Sequence, residues 1–216
     1  VEVQNSSEVQ AQELPGPQSN SAGKSLLREI LETLVLTVVI FVLVNLVTGR
    51  FKIFGSSMDN TFQQGEYIIV NRLAYKFGEP HRGDVVVLVP PGSTTNGFVE
   101  RILGLPGETD YIKRILGVPG DKITIANGQL VINGQSLEEP YIKEPMRNFG
   151  YEGQVWTLGP DQYFVLGDNR NASKDSRDPS VGPITVDRIV GQVWAVYWPI
   201  PAWKLVEHYR YPALSP

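Results

Sequence analysis

Two polar side chains in this sequence of 216 residues carry the types needed for one kind of chemistry, although they lie far apart in the chain. Ser57 sits in a short polar stretch, residues 54–62 (Phe-Gly-Ser-Ser-Met-Asp-Asn-Thr-Phe). A serine hydroxyl is a poor nucleophile until a base takes its proton. The usual base is a histidine held by a carboxylate, and the chain has only two histidines. His81 belongs to a turn-like run at 79–84 and His208 to the C-terminal stretch, so nothing recommends a triad, although sequence alone leaves one open. Gly55-x-Ser57 begins like a G-x-S-x-G elbow, but position 59 is aspartate and the motif fails. A lysine is the other solution, provided desolvation brings its pKa down from near 10.4. Lys113 suits that role, because Tyr111, Ile112, Ile115 and Leu116 surround it in a strand-like run. The ordinary alternatives are an edge-strand lysine that deters aggregation and a loop or capping serine.

Composition narrows the function classes. A net charge of −4 with scattered basic residues argues against nucleic acid as a partner. The absence of cysteine excludes disulfides and thiolate metal sites, and the histidines lack the paired spacing of a metal motif. No metal and no cofactor is expected.

The elements that would position Ser57 and Lys113 follow from the pattern along the chain. Residues 1–24 are polar, with few large apolar side chains, and are expected to be a disordered tail. Residues 25–48 form the expected anchor. Between 30 and 47 the only polar positions are Glu32, Thr33, Thr37 and Asn45, and residues 34–44 show no polar face. Such a run can cross the roughly 30 Å hydrocarbon layer as a helix. A buried core helix is the alternative to which Glu32 lends some weight. Residues 49–216 read as a β-rich domain. Compact β-branched runs lie at 66–71 and 84–89, and further strands at 162–166 and 188–197. Residues 122–132 carry Asn127-Gly128 between two alternating runs, which predicts a hairpin with a type I′ turn. It sets Ile123 and Ile125 against Leu130 and Ile132, and Asn133-Gly134 predicts another reversal. The fold class is therefore mostly β: one N-terminal transmembrane helix, then an all-β domain.

One internal repeat bears on the chemistry. Residues 98–108 are echoed thirteen positions later at 111–121, with six of eleven positions identical. Glu100 stands in the first copy where Lys113 stands in the second, so only the second supplies an amine. The first copy is expected to be an exposed loop or a competitor for the strand's place.

Residues 55–62, 110–121 and 167–177, with Arg82-Gly-Asp-Val-Val-Val-Leu88 as a further box, resemble in order and spacing the signature boxes of type I signal peptidases. The resemblance covers roughly residues 26–199. It implies a signal-peptidase-like catalytic domain in which Ser57 is the nucleophile and Lys113 its general base. It further implies that Ser173 orients the lysine by a hydrogen bond. Asp175 and Arg177 would support the site, and Asp168 with Arg170 its scaffold. Ile53, Phe54, Met58, Phe62, Tyr111 and Ile112 would line shallow substrate pockets, although plain core packing explains them equally well. Two positions depart from the family pattern. Asn60 replaces the usual proline, which is expected to loosen the turn, and Gly55 stands where some members carry a serine oxyanion donor. The oxyanion would then rely on the backbone N–H of Ser57.

The implied function is a membrane-bound serine endopeptidase of the plasma or thylakoid membrane. It would be single-pass, with its catalytic domain extracytoplasmic, and would remove signal peptides from exported precursors after A-x-A. Its partners would be those precursors and the lipid bilayer. A catalytically inactive anchored β-domain that binds extended peptides is the alternative from another class, and a self-cleaving regulator of related fold is a nearer one.

Overall fold

The computed structural model describes residues 21–93, 110–147, 150–211 and 214. The expected tail, apart from its last residues, and the first repeat copy with Glu100 lie outside the described residues. Among those described, one helix, α1 (Ser21–Val47), precedes short strands in the order β1 (Thr48–Lys52), β2 (Tyr67–Asn71), β3 (Val85–Leu88), β4 (Tyr111–Gly117), β5 (Lys122–Ala126), β6 (Gln129–Ile132), β7 (Gln135–Ser136), β8 (Val155–Thr157), β9 (Gln162–Leu166), β10 (Ile184–Thr185), β11 (Ile189–Trp198) and β12 (Lys204–Leu205). The protein is thus mostly β, with one apolar helix before the sheets. Contacts divide the chain into two compact units, one ending at Ile40 and the other running from Phe41 to Pro216.

Within α1 the threonines cost little, because the hydroxyls of Thr33 and Thr37 donate to the carbonyls of Glu29 and Thr33, each at 2.8 Å. Glu32 pairs with Arg28 one turn away at 2.7 Å. Leu26–Val47 is long and apolar enough to cross a membrane.

The strands make two sheets. The larger has the order β1-β2-β11-β3-β4-β9-β10, with β12 added to β11, and the smaller the order β7-β6-β5-β8. The hairpin at 122–132 forms in the expected register, Ile123 opposite Ile132 and Ile125 opposite Leu130. Asn127 (φ 53°) and Gly128 (φ 71°) take the left-handed conformations that a type I′ turn requires. The four apolar side chains share one face and are at most 2% exposed. Asn133-Gly134 makes the second reversal, into β7.

Two placements matter for the site. β4 lies between β3 and β9 in the larger sheet, but β9 pairs with it only from Arg114 onward, so Lys113 is paired to β3 alone. Side chains of β4 alternate between cores: Ile115 joins Val86, Leu88 and Val165, whereas Leu116 joins Ile123, Leu130 and Phe164. A third core of Phe51, Ile53, Met58, Phe62, Ile68 and Val70 fills the space beneath residues 54–62. Burying Phe62 alone contributes about 2 kcal/mol, which holds the turn down on the sheet.

Candidate active site

The stretch that carries Ser57 begins where β1 ends. Ile53 still pairs with the neighbouring chain, its N–H donating to the Glu66 carbonyl at 2.8 Å and its carbonyl accepting from Gly65 at 2.9 Å. Gly55 then takes a left-handed conformation (φ 80°) and the chain tightens into successive turns. The N–H groups of Thr61 and Phe62 both donate to the Met58 carbonyl. This winding turns Met58 and Phe62 downward, each 1% exposed, into the core. They do not line the groove beside Ser57, which corrects the expectation for these two residues. Their large apolar surfaces gain more from the core than from a solvent-facing wall.

Asn60 also differs from expectation. Its φ is 89°, a conformation closed to proline and tolerated by asparagine. Its Nδ2 donates to the Tyr141 carbonyl at 2.9 Å, so this turn is tied by a long-range hydrogen bond where a proline ring would fix φ. Behind it, the ammonium of Lys204 in β12 donates to the Thr61 carbonyl at 2.5 Å.

Residues 167–169 clamp the turn from the other side. The Asn169 N–H donates to the Ser57 carbonyl and its Nδ2 to the Ser56 carbonyl, both at 3.0 Å. A Cβ on Gly167 would lie 2.4 Å from the Ser57 carbonyl oxygen and 2.3 Å from Ser173 Oγ, so only glycine lets the two segments approach. Both oxygens of Asp168 bind the guanidinium of Arg114, at 2.9 and 2.7 Å, and Oδ2 also accepts from the Thr61 hydroxyl.

Lys113 reaches this turn from β4. Its Nζ donates to Ser57 Oγ at 2.7 Å and to the Ile112 carbonyl at 2.9 Å. The residue is 3% exposed. Burial drives its pKa down from 10.5 to about 8, opposed by the charges of Asp175 and Asp168 and aided by Arg177. Desolvation outweighs the two carboxylates because both are already neutralised by arginine partners. The lysine is therefore substantially neutral at mildly alkaline pH, as a proton acceptor must be. The hydrogen bond expected from Ser173 is not present. Ser173 Oγ is buried against Gly167 with no hydrogen-bond partner, and the Ile112 carbonyl takes the place beside Nζ.

The remaining predicted residues are buried, and of the two pairs that adjacency in sequence suggests only one forms. Asp175 and Arg177 do form a fork, both bonds 2.8 Å, and Asp175 also accepts from the Gly167 N–H at 3.1 Å. Asp168 pairs with Arg114, whereas Arg170 pairs with Glu139 through both nitrogens. Arg170 Nε additionally holds the Gly167 carbonyl at 3.1 Å. Burial works against the Arg114 charge, but Asp168 and the surrounding groups offset it and hold its pKa above the usual arginine value. Sequence reasoning missed Arg114, Glu139, Thr61 and Asn169. For Arg114 there was a signal, since an arginine in an apolar strand requires a buried partner. Glu139 offered none, because its partner lies 31 residues away. The two histidines are placed elsewhere, both beside the buried carboxylate of Asp84.

A groove of about 720 Å³ opens beside the serine and lysine. One wall is Lys52 to Ser57 and the other Asp110 to Lys113, with Ala172 and Lys174 also lining it. Ile53, Phe54, Tyr111 and Ile112 line this groove; Phe54 is 75% exposed, whereas Ile53 is also packed in the core with Met58 and Phe62. From Tyr111 to Lys113, β4 pairs with β3 on one side, while its pairing with β9 starts only at Arg114. Among the described residues, the other edge of Tyr111–Lys113 has no partner strand.

Comparison with known proteins finds the family described as signal peptidase, peptidase S26, matching residues 26–198. Signal peptidase IB of Staphylococcus aureus is 34% identical over 198 residues, which cover 84% of this chain and 94% of that protein. A probable signal peptidase I-2 of Synechocystis is 32% identical over 151 residues, covering 68% of this chain and 61% of that one. A crystal structure of a signal peptidase I from Enterococcus faecalis V583 is 27% identical, with a TM-score of 0.39, covering 53% of this chain and 97% of that chain.

Proposed function

The chain belongs to the signal peptidase family, peptidase S26, and from that premise we propose that it is a membrane-anchored endopeptidase that cuts signal peptides from exported precursors with a Ser57–Lys113 dyad. It is an enzyme of the serine peptidase class. The observation that carries the dyad is the 2.7 Å contact between Lys113 Nζ and Ser57 Oγ, made by a lysine whose pKa burial lowers to about 8. In the reactive form the Ser57 hydroxyl donates to the neutral amine. Oγ attacks the scissile carbonyl as Nζ takes the proton, giving a tetrahedral oxyanion and a lysine ammonium. Collapse breaks the peptide C–N bond while the ammonium protonates the departing amine, leaving an acyl-serine. Water, deprotonated by the same lysine, then releases the acyl group and restores Ser57.

The oxyanion needs donors, and the Ser57 N–H makes no hydrogen bond among the described residues, which suits that role. An extended substrate would add as a strand between Tyr111–Lys113 and the segment from Ile53 to Ser57. Ile53, Phe54, Tyr111 and Ile112 then leave room only for small side chains beside the cut, in keeping with A-x-A. Asp168, Arg170, Asp175 and Arg177 hold the frame, with Ser173 packed against Gly167. We place the anchor at residues 25–48, after the polar tail at 1–24, and the catalytic domain at 49–216. The protein would be single-pass in the plasma or thylakoid membrane, with the active site on the extracytoplasmic side. No metal or cofactor enters this chemistry.

The test is turnover of a purified A-x-A precursor in detergent, with the cut bond mapped by mass spectrometry. Wild type and Glu100→Ala should release the signal peptide, and Ser57→Ala and Lys113→Ala should not. Binding without turnover in the wild type would favour the inactive peptide-binding domain instead.

A further inference from the structure

Three lysines line the groove, Lys52, Lys113 and Lys174, and they are held very differently. Lys113 is bonded to Ser57 and to the Ile112 carbonyl. Lys52 stands away from the dyad, and its ammonium lies over two rings, 5.6 Å from the centroid of Phe54 and 5.4 Å from that of Tyr67. Lys174 is exposed and, among the described residues, makes no hydrogen bond and no ion pair. Ser180 and, more weakly, Lys174 hold the Asp178 carboxyl below its usual range, yet that carboxylate accepts from the Ser180 N–H at 2.8 Å and forms no salt bridge with Lys174.

The backbone that carries Lys174 is fixed. From Ala172 to Asp175 the side chains alternate: Ala172 and Lys174 are exposed along the groove, while Ser173 Oγ is buried against Gly167 and Asp175 is forked on Arg177. Gly167 also backs onto the Ser57 carbonyl, which puts this segment at the dyad end of the groove. Nearby carboxylates do not cancel the lysine, because Asp168 and Asp175 are already neutralised by Arg114 and Arg177. The charges that act on Lys113 are those of Asp175, Asp168 and Arg177. Lys174 therefore presents its charge to the groove and not to the base.

A-x-A precedes the cut, so the residues before the cut fill the groove between residues 53–57 and 111–113. Beyond Lys113 that path is closed, because Arg114 pairs with Leu166 of β9. The chain after the cut must leave past residues 172–174, which follow β9 and border the dyad.

We propose that Lys174 is a specificity-determining residue that favours an acidic side chain at the first or second position after the cut and disfavours a basic one there. This inference deepens the Ser57–Lys113 peptidase reading and rests on it. Two residues of extended chain span about 7 Å, so both positions lie beside the segment that borders the dyad. An exposed ion pair shifts an equilibrium by up to about fivefold, and replacing the acid by a base adds repulsion to the lost attraction.

The experiment uses the purified full chain in nonionic detergent and soluble peptides with one A-x-A site. They differ only in carrying Glu, Gln or Lys at the first position after the cut, at the second, or at x. The readout is the ratio of kcat/KM between peptides for one enzyme, which does not depend on its active fraction. At one of the two positions after the cut, wild type should favour Glu over Gln by about threefold and over Lys by about tenfold. In 1 M salt, where the Debye length is about 3 Å, the ratios should approach one. Lys174→Met should abolish the preference, Lys174→Glu should reverse it, and Lys52→Met should keep it. Wild-type ratios of one, a preference found only at x, a preference that survives in Lys174→Glu, or equal loss of it in Lys52→Met would each overturn the proposal and leave the peptidase reading intact. If wild type cuts none of the peptides, the peptidase reading fails and this inference with it.

Discussion

Replacing Lys113 with methionine should make the protein inactive and, at neutral pH, more stable. The methionine keeps most of the apolar stem while removing the amine. Moving the lysine from 10.5 to about 8 corresponds to about 3 kcal/mol of unfavourable burial. Below about 8 the amine is protonated in both folded and unfolded chains, and this cost is carried in full. Between about 8 and 10.5 the unfolded chain holds a proton that the folded one has lost, so wild-type stability rises with pH across that window. Above 10.5 the cost is gone. Against this, the variant loses the bonds to Ser57 and the Ile112 carbonyl, about 2 kcal/mol together. The net expectation at pH 7 is a gain of about 1 kcal/mol, or a Tm higher by about 2–4 °C. The gain should vanish or reverse near pH 10.5. Unfolding of the full chain in detergent at pH 7 and pH 10.5, wild type against Lys113→Met, measures both. A destabilised variant at pH 7, or the same difference at the two pH values, would refute the claim that desolvation governs this lysine.

Three other perturbations probe the frame around it. Asn60→Pro demands a φ that the turn does not have and removes the bond to Tyr141; it should cost about 1–3 kcal/mol in urea unfolding, with Asn60→Gly costing less. Glu139→Leu and Arg170→Leu each leave a buried charge unpaired and should destabilise by about 3–5 kcal/mol, with the double variant recovering most of the loss. Gly167→Ala forces a Cβ against the Ser57 carbonyl and Ser173 Oγ. Steady-state kinetics should show kcat lower by about a hundredfold, with circular dichroism unchanged.

Local chemistry made much of the fold legible. Asn127-Gly128 and Asn133-Gly134 each place two adjacent left-handed residues, and few pairs other than Asn-Gly do so cheaply. Alternation then set Ile123 and Ile125 against Ile132 and Leu130. The site was legible only through its motifs, because Ser57 and Lys113 are 56 residues apart and meet through the larger sheet. Properties set by distant partners were not legible. Met58 and Phe62 lie close in sequence to Ser57, yet the winding of the turn sends them into the core. The left-handed Asn60 depends on the Tyr141 carbonyl, 81 residues away. Asp168 could be recognised as a frame residue, but its choice of Arg114 over Arg170 follows from where β4 and β9 lie side by side.

The central claim is that Ser57 is activated by a neutral Lys113, and the pH dependence of precursor cleavage tests it most directly. In detergent, kcat/KM should rise tenfold per pH unit and level off above about 8. Ser57→Ala and Lys113→Ala should show no cleavage above background at any pH. Full activity in Lys113→Ala, or the same inflection near 8 without the amine, would contradict the account.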